Sequence, residues 1–186
     1  MNQKTRDDGF SALHFASFKG SLALIKLLMD AGADKYCVNN FGINVLHTAA
    51  QGDQPLSLLY FKEQGLDLRS TDNRNSTPLH WACYSKSEVA LVYLLAWVQK
   101  LDDQDVEGYT PLHLAVKSVE QLKTTRPVRA LLMRGAPRNV QDQNGEVPAD
   151  LIHHVTTEWL QKTLRNELDE PRSLDCLMIK TPLKKV

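Results

Sequence analysis

The chain has 186 residues, 42% of them hydrophobic, and its 22 basic and 22 acidic residues cancel. That length and apolar content suffice for a domain-sized core, while the cancelled charge leaves no overall field to hold a polyanion and no basic stripe with interleaved aromatics is present, so nucleic acid is not an expected partner. Three cysteines, Cys37, Cys83 and Cys176, form no CxxC pair, which argues against a disulfide framework and points to the cytosol; no signal pattern opens the chain, and no run reaches the roughly 18 apolar residues of a membrane span, so the chain is expected to be soluble.

From Leu13 onward the apolar residues Leu13, Ala16, Leu22, Ile25, Leu28 and Met29 recur at three- and four-residue steps, predicting two short helices. Gly20 breaks them apart. Gly32 closes the second helix as a residue able to take positive φ, and the polar stretch to Gly42 turns the chain back. The pattern then starts again: SALHFA at 11–16 is followed by NVLHTA at 44–49, PLHWA within 78–82 and TPLHLA at 110–115, with His14, His47, His80 and His113 spaced 33 residues apart. Gly9, Gly42 and Gly108 keep the same beat, with Asn75 in the equivalent place. A fixed period of this length is the signature of a repeat architecture, in which each unit buries its apolar face only by stacking on its neighbours.

The predicted fold is all-α, a solenoid of about five helix-turn-helix repeats joined by extended loop fingers, with units at 6–38, 39–71, 72–104, 105–141 and 142–170, so that residues 1–170 form the repeat domain. Thr77 and Thr110 read as N-caps, with Pro78 and Pro111 at the first helical position, where a missing N–H costs nothing. The third unit has Val98 where a glycine is expected. The fourth is four residues longer, an insertion assigned to EQLKTT (120–125) between its helices. The fifth carries Asp150 in the histidine position and runs on through EWLQKTLRNEL, as an atypical terminal unit does. Residues 171–186 form a basic tail or linker.

The histidines invite a catalytic or metal reading, which the spacing opposes. Neighbouring helices sit about 8–10 Å apart, whereas zinc needs nitrogens about 2.0–2.1 Å from one point. A structural role is expected for all four. His153 and His154 are successive on a helix and point about 100° apart, which separates them. Cys83 stands at a small, buried position, where a thiol packs as an apolar group. No phosphate-binding, dinucleotide, zinc-protease or nucleophile-elbow motif occurs. No active site, cofactor, metal or small-molecule substrate is expected.

DNRNSTPLHWA (72–82), DVEGYTPLHLA (105–115) and LLMDAGAD (27–34) resemble the ankyrin-repeat pattern. The resemblance covers residues 6 to about 168. It implies a structural histidine and a protein-binding concave face, lined by the loop tips Phe10, Phe41, Arg74, Glu107 and Tyr109 and by the helix positions Phe18, Lys19, Gln51, Tyr84, Ser85 and Lys117. Exposed aromatics rimmed by polar groups mark interaction sites, and the expected partner-binding set is Phe15, Phe18, Phe41, Gln51, Arg74, Trp81, Tyr84, Tyr109 and Lys117. The acidic run Asp102, Asp103, Asp105 and Glu107 reads as a solvated edge.

More narrowly, the order of units is similar to the cytosolic ankyrin domain of DHHC-type palmitoyltransferases, with LHWA helix starts and a QDxxGExPADL unit leading into a helix. In that family a tryptophan in an LHWA start grips short proline-containing substrate segments. By register its place here is taken by Phe15, while the tryptophan stands at Trp81 in a later unit. The implied role is substrate recruitment for a membrane-bound protein S-acyltransferase, on the cytosolic face of an internal membrane, with the tail leading to the first span. The catalytic cysteine-rich segment is absent from this chain. Because the chain opens on a repeat without a polar cap, it reads as a module of a larger protein; the alternative is a self-contained soluble ankyrin scaffold or regulator.

Overall fold

From the second unit onward, each unit is organised at its start by one Asn or Asp side chain that gathers the backbone of a tight loop. In a computed structural model describing residues 3–85 and 87–169, Asp72 Oδ1 accepts the amide hydrogens of Arg74 and Ser76, both at 2.9 Å. Asn39, Asp105 and Asp142 make the same pair of bonds in their own units. The loop closes through a left-handed residue, Gly42 (φ 74°), Gly108 (φ 81°) or Gly145 (φ 82°), and in the third unit Asn75 (φ 60°), one of the few side chains that visits this region routinely. A side chain at Gly42 would also strike the next loop, since its Cβ would lie 2.7 Å from Asn73 N. The loops stack as a ladder of fingers, with Asn73 N–H on Phe41 O (2.9 Å), Val106 N–H on Arg74 O (2.8 Å) and Gln143 N–H on Glu107 O (3.0 Å).

Behind the fingers lie the helices, nine among the described residues. They are α1 Ala12–Lys19, α2 Leu22–Asp30, α3 Val45–Gln51, α4 Pro55–Glu63, α5 Pro78–Tyr84, α6 Glu88–Trp97, α7 Pro111–Leu122, α8 Arg126–Met133 and, after a 3₁₀ turn at Asp150–His154, α9 Glu158–Asp169. The first helices of the units pack in a row, α1 on α3, α3 on α5 and α5 on α7. The second helices form a row behind them, α4 on α6, α6 on α8 and α8 on α9. A single apolar core runs between the rows from Leu13 to Leu168, as stacking demands when no unit can bury its own face. No helix among the described residues is long and apolar enough to cross a membrane.

Two local expectations are corrected, the placement of the insertion and the separation of His153 from His154. The insertion does not form a loop between helices. The left-handed residue that separates the two helices of a unit recurs as Gly20 (φ 70°), Asp53 (φ 57°) and Lys123 (φ 54°), so the four extra residues fall before Lys123 and lengthen α7 to 12 residues against 7 in α5. Glu120, Gln121 and Leu122 continue the helix because good helix formers there add hydrogen bonds at little cost. In the third unit, α6 ends without a left-handed residue; Val98 is extended (φ −84°, ψ 118°) and buried, its N–H still reaching Leu94 O at 2.7 Å. His153 and His154 do approach each other, with ring centroids 3.9 Å apart, since they occupy the end of a short 3₁₀ turn rather than a regular helix. The basic tail lies outside the described residues.

Candidate functional site

The four repeated histidines are buried, and each joins its own helix to the finger of the next unit. Nε2 lies 3.0 Å from Ile43 O in His14, 2.9 Å from Ser76 O in His47, 3.1 Å from Tyr109 O in His80 and 3.2 Å from Glu146 O in His113. A carbonyl can only accept, so Nε2 carries the proton and Nδ1 is the acceptor. Nδ1 takes the N-cap amide hydrogen and, from Ser11, Thr77 and Thr110, a hydroxyl at 2.8–2.9 Å. At His47 the N-cap is Asn44, whose Oδ1 already accepts from Leu46 N and stands 2.8 Å from Nδ1 without a proton to offer. Burial holds all four imidazoles below their ordinary pKa, His47 down to about 4. Among the described residues no group of three His, Cys, Asp or Glu side chains is placed to hold a metal ion. Cys83 is fully buried, and burial pushes its thiol up, away from nucleophilic character.

A groove of about 570 Å³ opens between the third and fourth units, bounded by α5 and α7 and by the finger tips at Arg74 and Glu107. It brings together Gln51, Arg74, Trp81, Tyr84, Tyr109 and Lys117, six of the nine residues expected from the sequence. Phe15, Phe18 and Phe41 do not line it; they belong to the first two units, one or more stacking distances of about 10 Å away, and there Phe15 packs against Phe10 at 5.9 Å.

Trp81 and Tyr109 are held within their own units, and Arg74 is held by its neighbour. Trp81 is half-buried against the core, and its indole N–H donates to Asp72 Oδ2 at 3.0 Å, so the carboxylate that shapes the finger also fixes the ring. Tyr84, one turn further along α5, is 60% exposed. Tyr109 is half-buried under the Lys117 ammonium, 4.0 Å from its ring centre, a cation–π arrangement that positions both side chains. Arg74 pairs with Glu107 across the tips. The acidic run is largely engaged: Asp103 binds Arg69 in bidentate fashion at 2.8 and 2.9 Å, and Asp105 organises its finger. Leu114, which repeats the Trp81 register one unit on, lines the groove as that register implies, and two residues not expected from the sequence, Gln121 and Leu122 from the added turn of α7, extend the wall. The four-residue excess in the fourth unit was the only sign of the last two.

The arrangement defines a helical-repeat module with a furrow of mixed aromatic and polar character. A family model of ankyrin repeats in three copies matches residues 46–144 and a single ankyrin-repeat model matches residues 8–40, and the chain belongs to the ankyrin-repeat family. It is similar over 43 residues, 23% of its length, to the ankyrin repeat and SOCS box protein 3 of Bos taurus (54% identical) and of Homo sapiens (49% identical). The match spans 8% of the length of each of these relatives.

Proposed function

We propose that the groove between the third and fourth units binds an extended peptide segment of a partner protein. The observation that carries this reading is the convergence of Trp81, Tyr84, Tyr109 and Lys117 on one furrow, with Tyr84 60% exposed at its wall. Flat rings and a held cation reward a stiff ligand, such as a segment with a proline or β-branched residue, which loses little entropy on docking. Removing the Tyr84 ring by Tyr84→Ala weakens binding by about 2 kcal/mol, roughly 30-fold, the scale of an interface hot spot. A peptide selected from a displayed random library on the wild-type chain serves as ligand for the titration, and circular dichroism of the same sample reports the fold. Native spectra with unchanged affinity sink the reading. Trp81→Ala is the poorer probe, because the ring also packs on the core.

The finer reading, recruitment of substrates for a membrane-bound S-acyltransferase, rests on the sequence resemblance; the relatives matched over 43 residues carry names of a different ankyrin protein. On that reading the module works at the cytosolic face of an internal membrane, where Arg172, Lys180, Lys184 and Lys185 of the tail each add about 1 kcal/mol of attraction to an anionic surface. Sequencing the parent reading frame tests it: paired apolar spans and a Cys/His-rich stretch beyond Val186 would support it, and a stop codon there would favour a self-contained scaffold or regulator.

A further inference from the structure

The one break in the repeat beat stands beside the groove, and it is helical. α7 runs on to Leu122 whereas α5 ends at Tyr84, so the wall that α7 provides is longer by rather more than one turn, roughly 7 Å. Successive residues of that turn face different ways. Gln121 and Leu122 line the groove. Glu120 faces the last unit, where its carboxylate accepts the amide hydrogens of Thr156 (3.1 Å) and Thr157 (3.2 Å) and the hydroxyls of Thr156 (3.1 Å) and Thr157 (2.7 Å), besides pairing with Lys123. The Lys123 ammonium first, and the Thr157 hydroxyl next, hold this carboxyl down to about 2. The added turn is therefore fixed from behind before any ligand arrives, which is the condition for a wall that selects rather than yields.

Its position sets a distance. Leu114 and Leu122 both line the groove and lie about 12 Å apart along the helix at 1.5 Å per residue; an extended peptide covers that in about four residues, and side chains four apart point the same way. Between them Lys117 makes the middle of the furrow polar, so the apolar demand falls on the two ends. We propose that the added turn of α7 turns the groove into a two-anchor site for an extended peptide carrying two apolar side chains four residues apart, the first on Trp81 and Leu114, the second on Leu122 beside the Gln121 amide.

This assignment rests on the peptide-groove reading, and one experiment separates the two. Displayed random peptides are selected on the wild-type chain, on Tyr84→Ala and on the double variant Gln121→Ala/Leu122→Ser, with urea unfolding of each as the check on folding. The wild-type selection is expected to show paired apolar positions four apart. On the double variant the second position loses its apolar preference while the first keeps it, and a wild-type-selected peptide binds roughly tenfold more weakly. Placing serine at the second apolar position of that peptide makes the same test on the wild-type chain if the double variant unfolds. Peptides with no preference at the second position, or bound equally well by the double variant, overturn the two-anchor assignment and leave the groove reading standing. Selections indifferent to Tyr84→Ala overturn the groove reading and the assignment with it.

Discussion

At the residue scale, the repeated histidine is a connector whose worth lies in what it leaves behind when removed. The His80 ring satisfies three groups at once: the Thr77 amide, the Thr77 hydroxyl and the Tyr109 carbonyl of the next finger. His80→Ala strands them in a buried setting, at a cost of about 2–3 kcal/mol in urea unfolding. His153→Ala, at an exposed ring, changes stability by no more than about 0.5 kcal/mol. Equal effects of the two substitutions refute the connector role. Asn44 shows how finely this site is set: it caps α3 well through Leu46 N, yet lacks the hydroxyl that Ser11, Thr77 and Thr110 offer the ring.

At the element scale, equivalent helices differ because their neighbours do. The second helix of each unit carries a large apolar residue at one register position: Leu28, Phe61, Leu94 and, allowing for the insertion, Leu131. The last three are fully buried, but Leu28 is only partly so, and in α2 Leu24 and Leu27 are 42% and 65% exposed. The start of the equivalent helix in the third unit is tied to the preceding unit: the N–H of Ala90, the counterpart of Leu24, donates to Asp53 Oδ1 at 2.7 Å, and the N-cap Ser87 Oγ donates to Gln51 O at 3.1 Å. Among the described residues α2 has no such unit before it. Leu94→Ala therefore costs about 2–5 kcal/mol, as deletions in a closed core do, whereas Leu28→Ala costs about 1 kcal/mol, its site being partly hydrated already. Urea midpoints of the two variants give the comparison, and equal losses contradict it.

At the scale of the whole molecule, stability is a sum over like units, and so is its response to acid. Each of the four histidines is buried neutral, with its pKa lowered in the folded state, burial outweighing the carbonyl that Nε2 meets. The unfolded chain thus binds more protons than the folded one below pH 6.5, so stability is full above that value and falls as pH drops toward the folded pKa values. For His47, from 6.5 to about 4, the loss comes to about 3 kcal/mol at about 1.4 kcal/mol per unit. Urea unfolding between pH 7 and 4 is expected to show a steady decline with net proton uptake on unfolding, shallower in His47→Gln. A profile flat across that range contradicts the neutral buried state.

The unit, its period, the caps at Thr77 and Thr110 and the structural histidine were legible in the sequence, because they are set by contacts within a unit or between identical neighbours, and repetition writes such contacts out several times. The candidate groove was legible only in part. Tyr84, Trp81 and Lys117 follow from register, but the place where the furrow opens, the Asp72 bond that fixes the Trp81 ring and the exclusion of Phe15, Phe18 and Phe41 depend on how units stack. The insertion marks the boundary most clearly. Its length could be counted from one unit to the next, and its helix formers favour a further turn locally, but the Glu120 bonds that hold this turn to Thr156 and Thr157 join residues some 36 positions apart, which no local pattern encodes. Periodicity reports the interactions that recur; an interaction made once, between distant parts of the chain, exists only when the fold has brought them together.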